Sequence, residues 1–188
     1  RLSPEKRDEL RQTLVDLTFT MMPVDNATLV RLANSKLKLE SLNVHHGEFG
    51  STGAIAIAEK QQQLRSLVLI PGYQAFPEIG SDVLSAIAQS KAPLSVLGLS
   101  STTHTGFSKA SFLELLEKKN SLEVLDLGCA VLSHKEINEL HLSELPLSVL
   151  KLHTVPSFFG LFGFLWKKAP FSSHDSWRSI GRPTMRYV

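Results

Sequence analysis

The stretch Leu64-Arg-Ser-Leu67-Val-Leu69, in the middle third of this 188-residue chain, decides the fold. Its leucines occupy the first, fourth and sixth positions of a Leu-x-x-Leu-x-Leu pattern. The pattern returns at residues 39–44, 94–99, 122–127 and 147–152, at intervals of 25 to 30 residues. Because apolar and other residues alternate at the end of each copy, each copy predicts a short β-strand. Repetition at a near-constant interval predicts one structural unit used several times.

A sixth, degenerate copy, Leu14-Val-Asp-Leu17-Thr-Phe19, begins 25 residues before Leu39. Between the copies, apolar residues recur at helical spacing, and a residue suited to cap a helix precedes each stripe. The predicted N-caps are Asp25, Ser51, Ser81, Ser108 and Ser133. The predicted helical stripes are Leu29, Leu32 and Leu37; Val83, Leu84, Ile87 and Ala88; and Phe112, Leu113, Leu115 and Leu116.

A unit of one short strand and one helix cannot bury its own leucines, so we expect the units to stack and share one core. The predicted fold class is α/β, with a curved parallel sheet inside and helices outside. The repeats occupy residues 14–155. Residues 1–13 are predicted to form an amino-terminal helical cap, with Ser3-Pro4 at its start. Residues 156–188 form a tail in which the repeat stops.

The pattern resembles the leucine-rich repeat family, in particular its ribonuclease-inhibitor-like and F-box-associated branches. The stretch Gly53-Ala54-Ile55-Ala56-Ile57-Ala58 is similar to the Gly-Ala-x-Ala-x-Ala helix of ribonuclease-inhibitor-like and bacterial GALA-type repeats. The resemblance implies a solenoid of about six repeats. No F-box is visible, so it implies no ubiquitin-ligase role. At the ninth repeat position, where the family usually has Asn or Cys, this chain has Met22, Gly47, Gly72, Thr102, Ala130 and Val155.

Side chains at the third, fifth and seventh positions of each copy are predicted to point away from the core, because side chains alternate along a strand. We expect Val96, Val124 and Val149 to form an apolar column there, with Asp126 and Lys151 close enough for an ion pair. None of the predicted face residues is Trp, Tyr or Arg, the residue types that favour interface hot spots. The predicted partner-binding residues are Asn43, His45, Val68, Ile70, Val96, Val124, Asp126, Val149, Lys151 and His153.

The opposing interpretation of this face is that small residues are merely tolerated on an exposed sheet. Such an exposed ion pair contributes only about 0–1 kcal/mol to stability. The sequence alone leaves both interpretations open.

The histidines do not predict a metal site. His45 and His153 lie four strand steps apart in the predicted sheet, roughly 19 Å at about 4.8 Å per step. His46 follows His45 directly, so alternation sends the two side chains to opposite faces. His134 and His141 are seven residues apart, but no third ligand accompanies them. We therefore expect no metal site.

No constellation of residues predicts catalysis or a cofactor. The single cysteine, Cys129, excludes an internal disulfide framework and a Cys-built zinc site, and we expect it to be a small buried apolar residue. Gly47, Gly50 and Gly53 match neither the dinucleotide-binding nor the Walker spacing. The sequence thus predicts no cofactor and a protein that is not an enzyme.

The composition is that of a globular domain, with 43% hydrophobic and 20% charged residues and a net charge of +2. No apolar run reaches the roughly 18–20 residues that a membrane span needs, and no signal peptide is visible at the start. We therefore expect a cytoplasmic, intracellular protein, with a secreted bacterial effector as the alternative. Because the chain opens at Arg1 rather than Met, we expect a fragment or a processed product.

The tail contains eight of the fourteen aromatic residues and a net charge of +4, against −2 for residues 1–155. One interpretation is that residues 158–166 cap the open end of the core. A second is that the tail docks on another protein, with Phe162, Trp166 and Trp177 as anchors. A third is contact with a membrane surface. The scattered basic residues do not predict nucleic-acid binding, which needs a dense basic patch.

The predicted function is a non-enzymatic interaction module that binds a protein partner through the exposed sheet face, the tail, or both. The alternative is a substrate-recognition or adaptor fragment of a larger protein, such as a ubiquitin-ligase receptor, an immune receptor or a bacterial effector. A structural subunit of a permanent assembly also fits, if neighbouring subunits cover the tail and the helices.

Overall fold

The computed structural model describes residues 3, 6, 14–72, 79–100, 107–128, 147–153 and 163–167. Within these residues the chain is α/β, as predicted, with one seven-stranded sheet and four helices. The strands are β1 (Asp16–Thr20), β2 (Ser41–Gly47), β3 (Ser66–Pro71), β4 (Val96–Ser100), β5 (Val124–Gly128), β6 (Val149–His153) and β7 (Gly163–Lys167). The helices are α1 (Asn26–Ala33), α2 (Ser51–Lys60), α3 (Ser81–Gln89) and α4 (Lys109–Lys118).

The strands lie in the sheet in the order in which they occur in the chain, and β1 to β6 are parallel. Equivalent positions of successive copies are direct partners: Leu67 lies between Leu42 and Leu97. The segments that begin at Leu64, Leu94 and Leu122 are therefore side by side in one parallel sheet, as the repeat predicts. This register aligns the apolar positions of all six copies on one face.

The first, fourth and sixth positions of the copies form the core together with the apolar stripes of the helices. Leu42, Leu67, Leu97 and Leu125 are each fully buried. Burying one such side chain contributes about 1.5–3 kcal/mol. The equivalent Leu17 of β1 is only partly buried, because β1 has a neighbouring strand on one side only within the described residues.

The repeat pattern does not predict a second line of buried side chains that the structure contains. Val24, Phe49, Ile79 and Phe107 each stand directly before the N-cap residue of a helix, and all four are almost completely buried. An apolar residue at this position is half of a hydrophobic staple, which fixes the angle at which the chain enters the helix. Phe49 and Phe107 are among the largest fully buried side chains.

Two of the predicted N-caps are confirmed. The Asp25 carboxylate accepts a hydrogen bond from the Thr28 amide at 2.7 Å. A hydrogen bond from the Thr28 side chain is the largest cause of the lowered pKa of Asp25, and the bond from the Thr28 amide is the second. The Ser108 hydroxyl accepts one from the Ser111 amide at 3.2 Å. One predicted helix extends too far, because α1 ends at Ala33 and leaves Leu37 outside it.

The predicted N-caps Ser51 and Ser81 are wrong by one residue, because Gly50 and Gly80 hold those positions. Each serine hydroxyl instead serves the next unit. Ser51 Oγ accepts from the Gly80 amide at 3.3 Å and donates to the Asp82 carboxylate at 2.9 Å. Ser81 Oγ accepts from the Ser108 amide at 2.8 Å.

Asn26, the first residue of α1, does the same for α2. Its Oδ1 accepts from the Gly50 amide at 3.0 Å and from the Gly53 amide at 2.9 Å. Two orphan amides at the start of α2 are thus satisfied by the preceding unit. A side chain 24 to 27 residues away replaces a local cap.

The carboxyl ends of the helices are tied together in the same way. Gln61 Nε2 donates to the Leu32 and Ala33 carbonyls at 3.2 Å each. Lys119 Nζ donates to the Ser90 carbonyl, to Ser90 Oγ at 3.0 Å and to the Ala92 carbonyl at 3.0 Å. Both side chains are buried, and burial lowers the pKa of the Lys119 ammonium.

The ninth position of the repeat is glycine in the second and third copies, and for Gly47 in the second copy the reason is steric. A Cβ on Gly47 would lie 2.6 Å from the Phe49 ring and 2.9 Å from the Val24 carbonyl oxygen. The Gly72 amide donates to the Gly47 carbonyl at 2.9 Å, so the turns of neighbouring units are joined through the backbone. Among the remaining ninth positions, Thr102, Ala130 and Val155 lie outside the described residues.

We predict that Gly53→Ala destabilises the protein by about 1–3 kcal/mol. The new Cβ would lie 2.8 Å from Asn26 Oδ1 and 2.9 Å from Leu29 Cδ1, so it would overpack the contact between α1 and α2 and disturb the two amide bonds to Asn26. The matched control is Thr52→Ala at the adjacent, exposed position, which should stay within about 0.5 kcal/mol of the parent. Urea unfolding followed by circular dichroism measures both, and equal stabilities of the two variants would contradict the packing described.

Stability should depend on pH through Lys119. Burial lowers the pKa of this ammonium below its ordinary value of 10.5, so the folded state loses the proton at lower pH than the unfolded state. The stability of the parent relative to Lys119→Met should therefore rise as pH rises through the folded pKa towards 10.5. Lys60→Met, which removes an exposed lysine at the end of α2, controls for the loss of one charge. The urea midpoint of the parent minus that of Lys119→Met measures this effect. A decrease in this difference as pH rises would contradict a lowered pKa of Lys119.

Candidate functional site

The candidate site is the side of the sheet opposite the helices, which we call the open face. The residues at the third, fifth and seventh positions of each copy lie on this face. In each strand they alternate with the buried residues of the core. On β2, β3 and β5 all of these residues are half-buried, while on β1 they are exposed. The described residues of the open face are Asp16, Thr18, Thr20, Ser41, Asn43, His45, Ser66, Val68, Ile70, Val96, Gly98, Ser100, Val124, Asp126, Gly128, Val149 and Lys151.

An apolar column crosses three neighbouring strands of this face. Val96 pairs in register with Val124, and Val124 pairs with Val149. All three side chains are half-buried. The strand spacing of about 4.8 Å gives the column, which we call the valine column, a length of about 10 Å. Its predicted register is confirmed.

Val68 extends this apolar surface towards β3. A Cβ on Gly98, its partner in register, would lie 3.2 and 3.3 Å from the two methyl groups of Val68. The Val68 side chain therefore covers Gly98, which is buried although it lies on the open face. Val68, Val96 and Val124 form the centre of an apolar patch, and Ile70 lies two residues beyond Val68 on the same strand.

Polar groups border the patch on both sides. On the β5 and β6 side, Lys151 Nζ lies 3.5 Å from Asp126 Oδ2, with side-chain exposures of 46% and 39%, and the predicted ion pair is confirmed. On the β2 side, His45 pairs in register with Ile70. Asn43 Nδ2 donates to Thr18 Oγ1 over 3.4 Å. The patch thus has an apolar centre and a polar border.

His46 does not lie where alternation along a strand predicts. Its φ is +62°, and the register between β2 and β3 shifts between His45 and Gly47. The resulting bulge leaves His46 exposed instead of packed in the core. Met21, the equivalent residue one unit earlier, has a φ of +53° and is 80% exposed. A left-handed residue at the equivalent position, near the carboxyl end of the strand, is therefore shared by the first two units.

The remaining predicted site residues are placed by the backbone or lie outside the described residues. His153 pairs with Gly128 at the end of β6. Trp166 lies in β7, opposite Leu150, in a strand that runs antiparallel to β6. The sequence predicts no strand there, because residues 163–167 lack the alternation seen in the repeats. Cys129, Ser133, His134, His141, Phe162 and Trp177 lie outside the described residues.

Within the ranges that the structure describes, no three side chains of His, Cys, Asp or Glu come together as a metal site would require. None of the four described helices has the length and apolar composition of a membrane-crossing segment. The strand order places β2, with His45, four steps from β6, with His153.

Comparison with known proteins gives no relative. No family model, no curated protein and no solved structure matches this chain. A functional inference therefore depends on the geometry and chemistry of the open face.

We predict that the ion pair between Asp126 and Lys151 contributes little to stability. Both groups are more than a third exposed, so solvent screens their attraction and a double-mutant cycle with Asp126→Ala and Lys151→Ala should give a coupling below about 1 kcal/mol. The coupling should fall further in about 1 M salt, where the Debye length is about 3 Å. A larger coupling that is insensitive to salt, measured by urea unfolding, would show that the pair is shielded from solvent.

Proposed function

We propose that this chain is a leucine-rich repeat solenoid whose open face binds another protein, and that it is not an enzyme. The observation that supports the proposal is the valine column on the side of the sheet that the helices leave uncovered. A partner that covers these half-buried valines removes their remaining apolar surface from water. Each Å² removed contributes about 25 cal/mol to the free energy of binding.

The sheet offers this surface in a rigid form. The backbones beneath Val96, Val124 and Val149 are held in parallel ladders on successive strands. The core side chains between them in sequence are fully buried, as are Leu97 and Leu125. A surface held in this way loses little conformational entropy on binding, which favours affinity.

The distribution of polar groups also suits a protein partner. Interfaces combine an apolar centre with a polar rim, and the open face has Asp126 and Lys151 on one side of the patch and Asn43 and His45 on the other. None of its described side chains is Trp, Tyr or Arg, the residues that dominate hot spots. We therefore expect the partner to contribute aromatic or arginine side chains that pack against the apolar surface of the open face.

A recognition or adaptor role within a larger protein uses the same face and stays an alternative. A structural role in a permanent assembly needs the helices and the tail to be covered as well. The sequence that flanks this chain in its natural context would distinguish the adaptor role from that of an independent binding module. For an adaptor, a ligase, receptor or effector module would be encoded beside it. Cytoplasmic location and secretion as an effector both stay predictions.

Affinity capture with mass spectrometry tests the proposal. Val124→Glu places a carboxylate in the centre of the valine column, and burying it against a partner costs several kcal/mol unless it is paired. We expect capture of the specific partner to fall at least about tenfold, which corresponds to about 1.4 kcal/mol. The matched control is Thr52→Glu, which adds the same charge at an exposed position of α2, away from the open face, and should leave capture unchanged.

Circular dichroism and urea unfolding must show that Val124→Glu is folded, which we expect because Val124 is only half-buried. Undiminished capture by a folded Val124→Glu variant would move the binding site away from the open face.

A further inference from the structure

Strand β1 lies at the end of the sheet and exposes apolar side chains. Within the described residues only β2 pairs with it. The described part of the chain has four exposed large apolar side chains, and three of them flank this strand: Val15 at 37% exposure, Met21 at 80% and Met22 at 51%. Leu17 and Phe19, whose equivalents in β2 are fully buried, are only partly buried. Apolar surface of the core therefore remains in contact with water at β1.

The backbone of β1 bonds β2 on one edge and faces outward on the other. The Val15 carbonyl accepts hydrogen bonds from two amides of the next unit at 2.8 and 3.1 Å, and the Met21 amide donates to the His45 carbonyl at 3.1 Å. Successive residues of a strand direct their backbone groups to opposite edges. The odd-numbered residues therefore bond β2, and the even-numbered residues face away from it. The outward residues of the strand are Asp16, Thr18 and Thr20.

This edge lacks the features that keep edge strands from pairing. Many natural edge strands carry lysine, proline or a bulge, because unpaired N–H and C=O groups are a template for another strand. Asp16–Thr20 has the sequence DLTFT and pairs with β2 without a shift in register. It contains no lysine or proline, and its threonine and phenylalanine residues favour strands. The edge of β1 is therefore suited to accept a further strand.

Strand β1 is complementary to a second copy of itself in the antiparallel orientation. With a two-fold axis at Thr18, Asp16 lies opposite Thr20 of the second copy, and Leu17 lies opposite Phe19 of the second copy. Every outward N–H then faces a carbonyl of the other copy. Asp16 is the only charged residue of the strand. The two Asp16 residues lie about 13 Å apart along the ladder, at about 3.3 Å per residue. This distance exceeds the Debye length of about 8 Å at physiological salt, so the pairing brings no like charges together.

The cap of α1 favours a second copy over a further parallel repeat. Between units, a side chain of the preceding unit bonds amides at the start of the next helix, as Asn26 does for α2 and Ser51 for α3. At α1 the cap is local, because the Asp25 carboxylate accepts from the Thr28 amide. A parallel repeat before β1 would place another helix start beside α1, whereas an antiparallel strand from a second copy would not.

We propose that the chain forms a symmetric dimer in which the two β1 strands pair antiparallel about Thr18 and join the two sheets into one. On the helix side of the sheet, Leu17 and Phe19 of each copy cover those of the other, and Val15 lies beside Met21 of the second copy. Because the two-fold axis is perpendicular to the sheet, both open faces lie on the same side. The inference does not rest on the proposed function. Together with that function, it gives a surface with two valine columns, which raises the avidity for a partner with two matching sites.

Sedimentation equilibrium of the full chain over a concentration series tests the dimer without any partner. The average mass of the parent should rise with concentration from that of one chain towards that of two. Thr18→Pro removes an outward amide that the ladder with β2 does not use, so the dissociation constant should rise at least about tenfold. The matched control is Thr18→Ala, which keeps the amide and should stay within about threefold of the parent. Circular dichroism and urea unfolding should show that both variants are folded.

Two charge variants test the register and do not depend on proline. Thr20→Asp places a carboxylate opposite Asp16 of the second copy at both ends of the ladder, so the dissociation constant should rise at least about threefold at low salt. Adding Asp16→Lys to Thr20→Asp makes the opposed charges opposite in sign and should restore the parent value. Both positions are exposed, so the fold should tolerate either charge.

Three results would overturn the inference. The parent has the mass of one chain throughout the series, or Thr18→Pro dimerises as tightly as Thr18→Ala, or Asp16→Lys fails to restore the dimerisation of Thr20→Asp. Hydrogen–deuterium exchange adds an independent test, because the Thr18 amide should be protected in the dimer and exchange faster on dilution. Protection that persists in a monomeric sample would mean that the chain covers its own edge, and the inference would be wrong.

Val124→Glu separates this inference from the proposed function. The variant alters the open face and leaves β1 unchanged, so it should dimerise as the parent does. A parent dimer that captures no partner refutes only the proposed function. A parent monomer whose capture of a partner depends on Val124 refutes only the dimer.

Discussion

The fold depends on one constraint, which is that no unit can bury its own leucines. Each strand contributes only three apolar side chains to the core, and these become buried because equivalent residues from the neighbouring strands lie directly beside them. Leu67 between Leu42 and Leu97 is the pattern that recurs across the sheet. A slip of one residue in any ladder would turn that strand's leucines to solvent, so burial and register enforce each other.

Hydrogen bonds between units strengthen the same dependence. The first residues of α1, α2 and α3 satisfy amides at the start of the following helix, as Asn26 does for Gly50 and Gly53. At the other end, Gln61 and Lys119 reach back to carbonyls of the preceding unit. Loss of one unit therefore leaves buried polar groups of its neighbours without partners, a cost of about 1–3 kcal/mol for each group.

The open face follows from the same alternation that builds the core. Because leucines point to one side of each strand, the residues between them must point to the other, and equal register aligns them into columns. This geometry aligns Val96, Val124 and Val149 into a column. The column is apolar because of the residue types at these positions, which packing in the core does not determine. Such a surface has apolar area, but none of its described residues is Trp, Tyr or Arg. We therefore expect a binding partner to contribute residues of these types.

The sequence by itself determined the elements with a local signal. The leucine period gave the strands and their register, alternation gave the open face and the pairing of Asp126 with Lys151, and capping chemistry gave the starts of α1 and α4. These features depend on residues close together in sequence, or on one repeat length applied several times. Only the tertiary structure decided that Ser51 caps the next unit, that Phe49 fills the space beside Gly47, and that residues 163–167 add an antiparallel strand. The reason is physical: these contacts join different units or depend on a backbone bend, and neither leaves a periodic trace in the sequence.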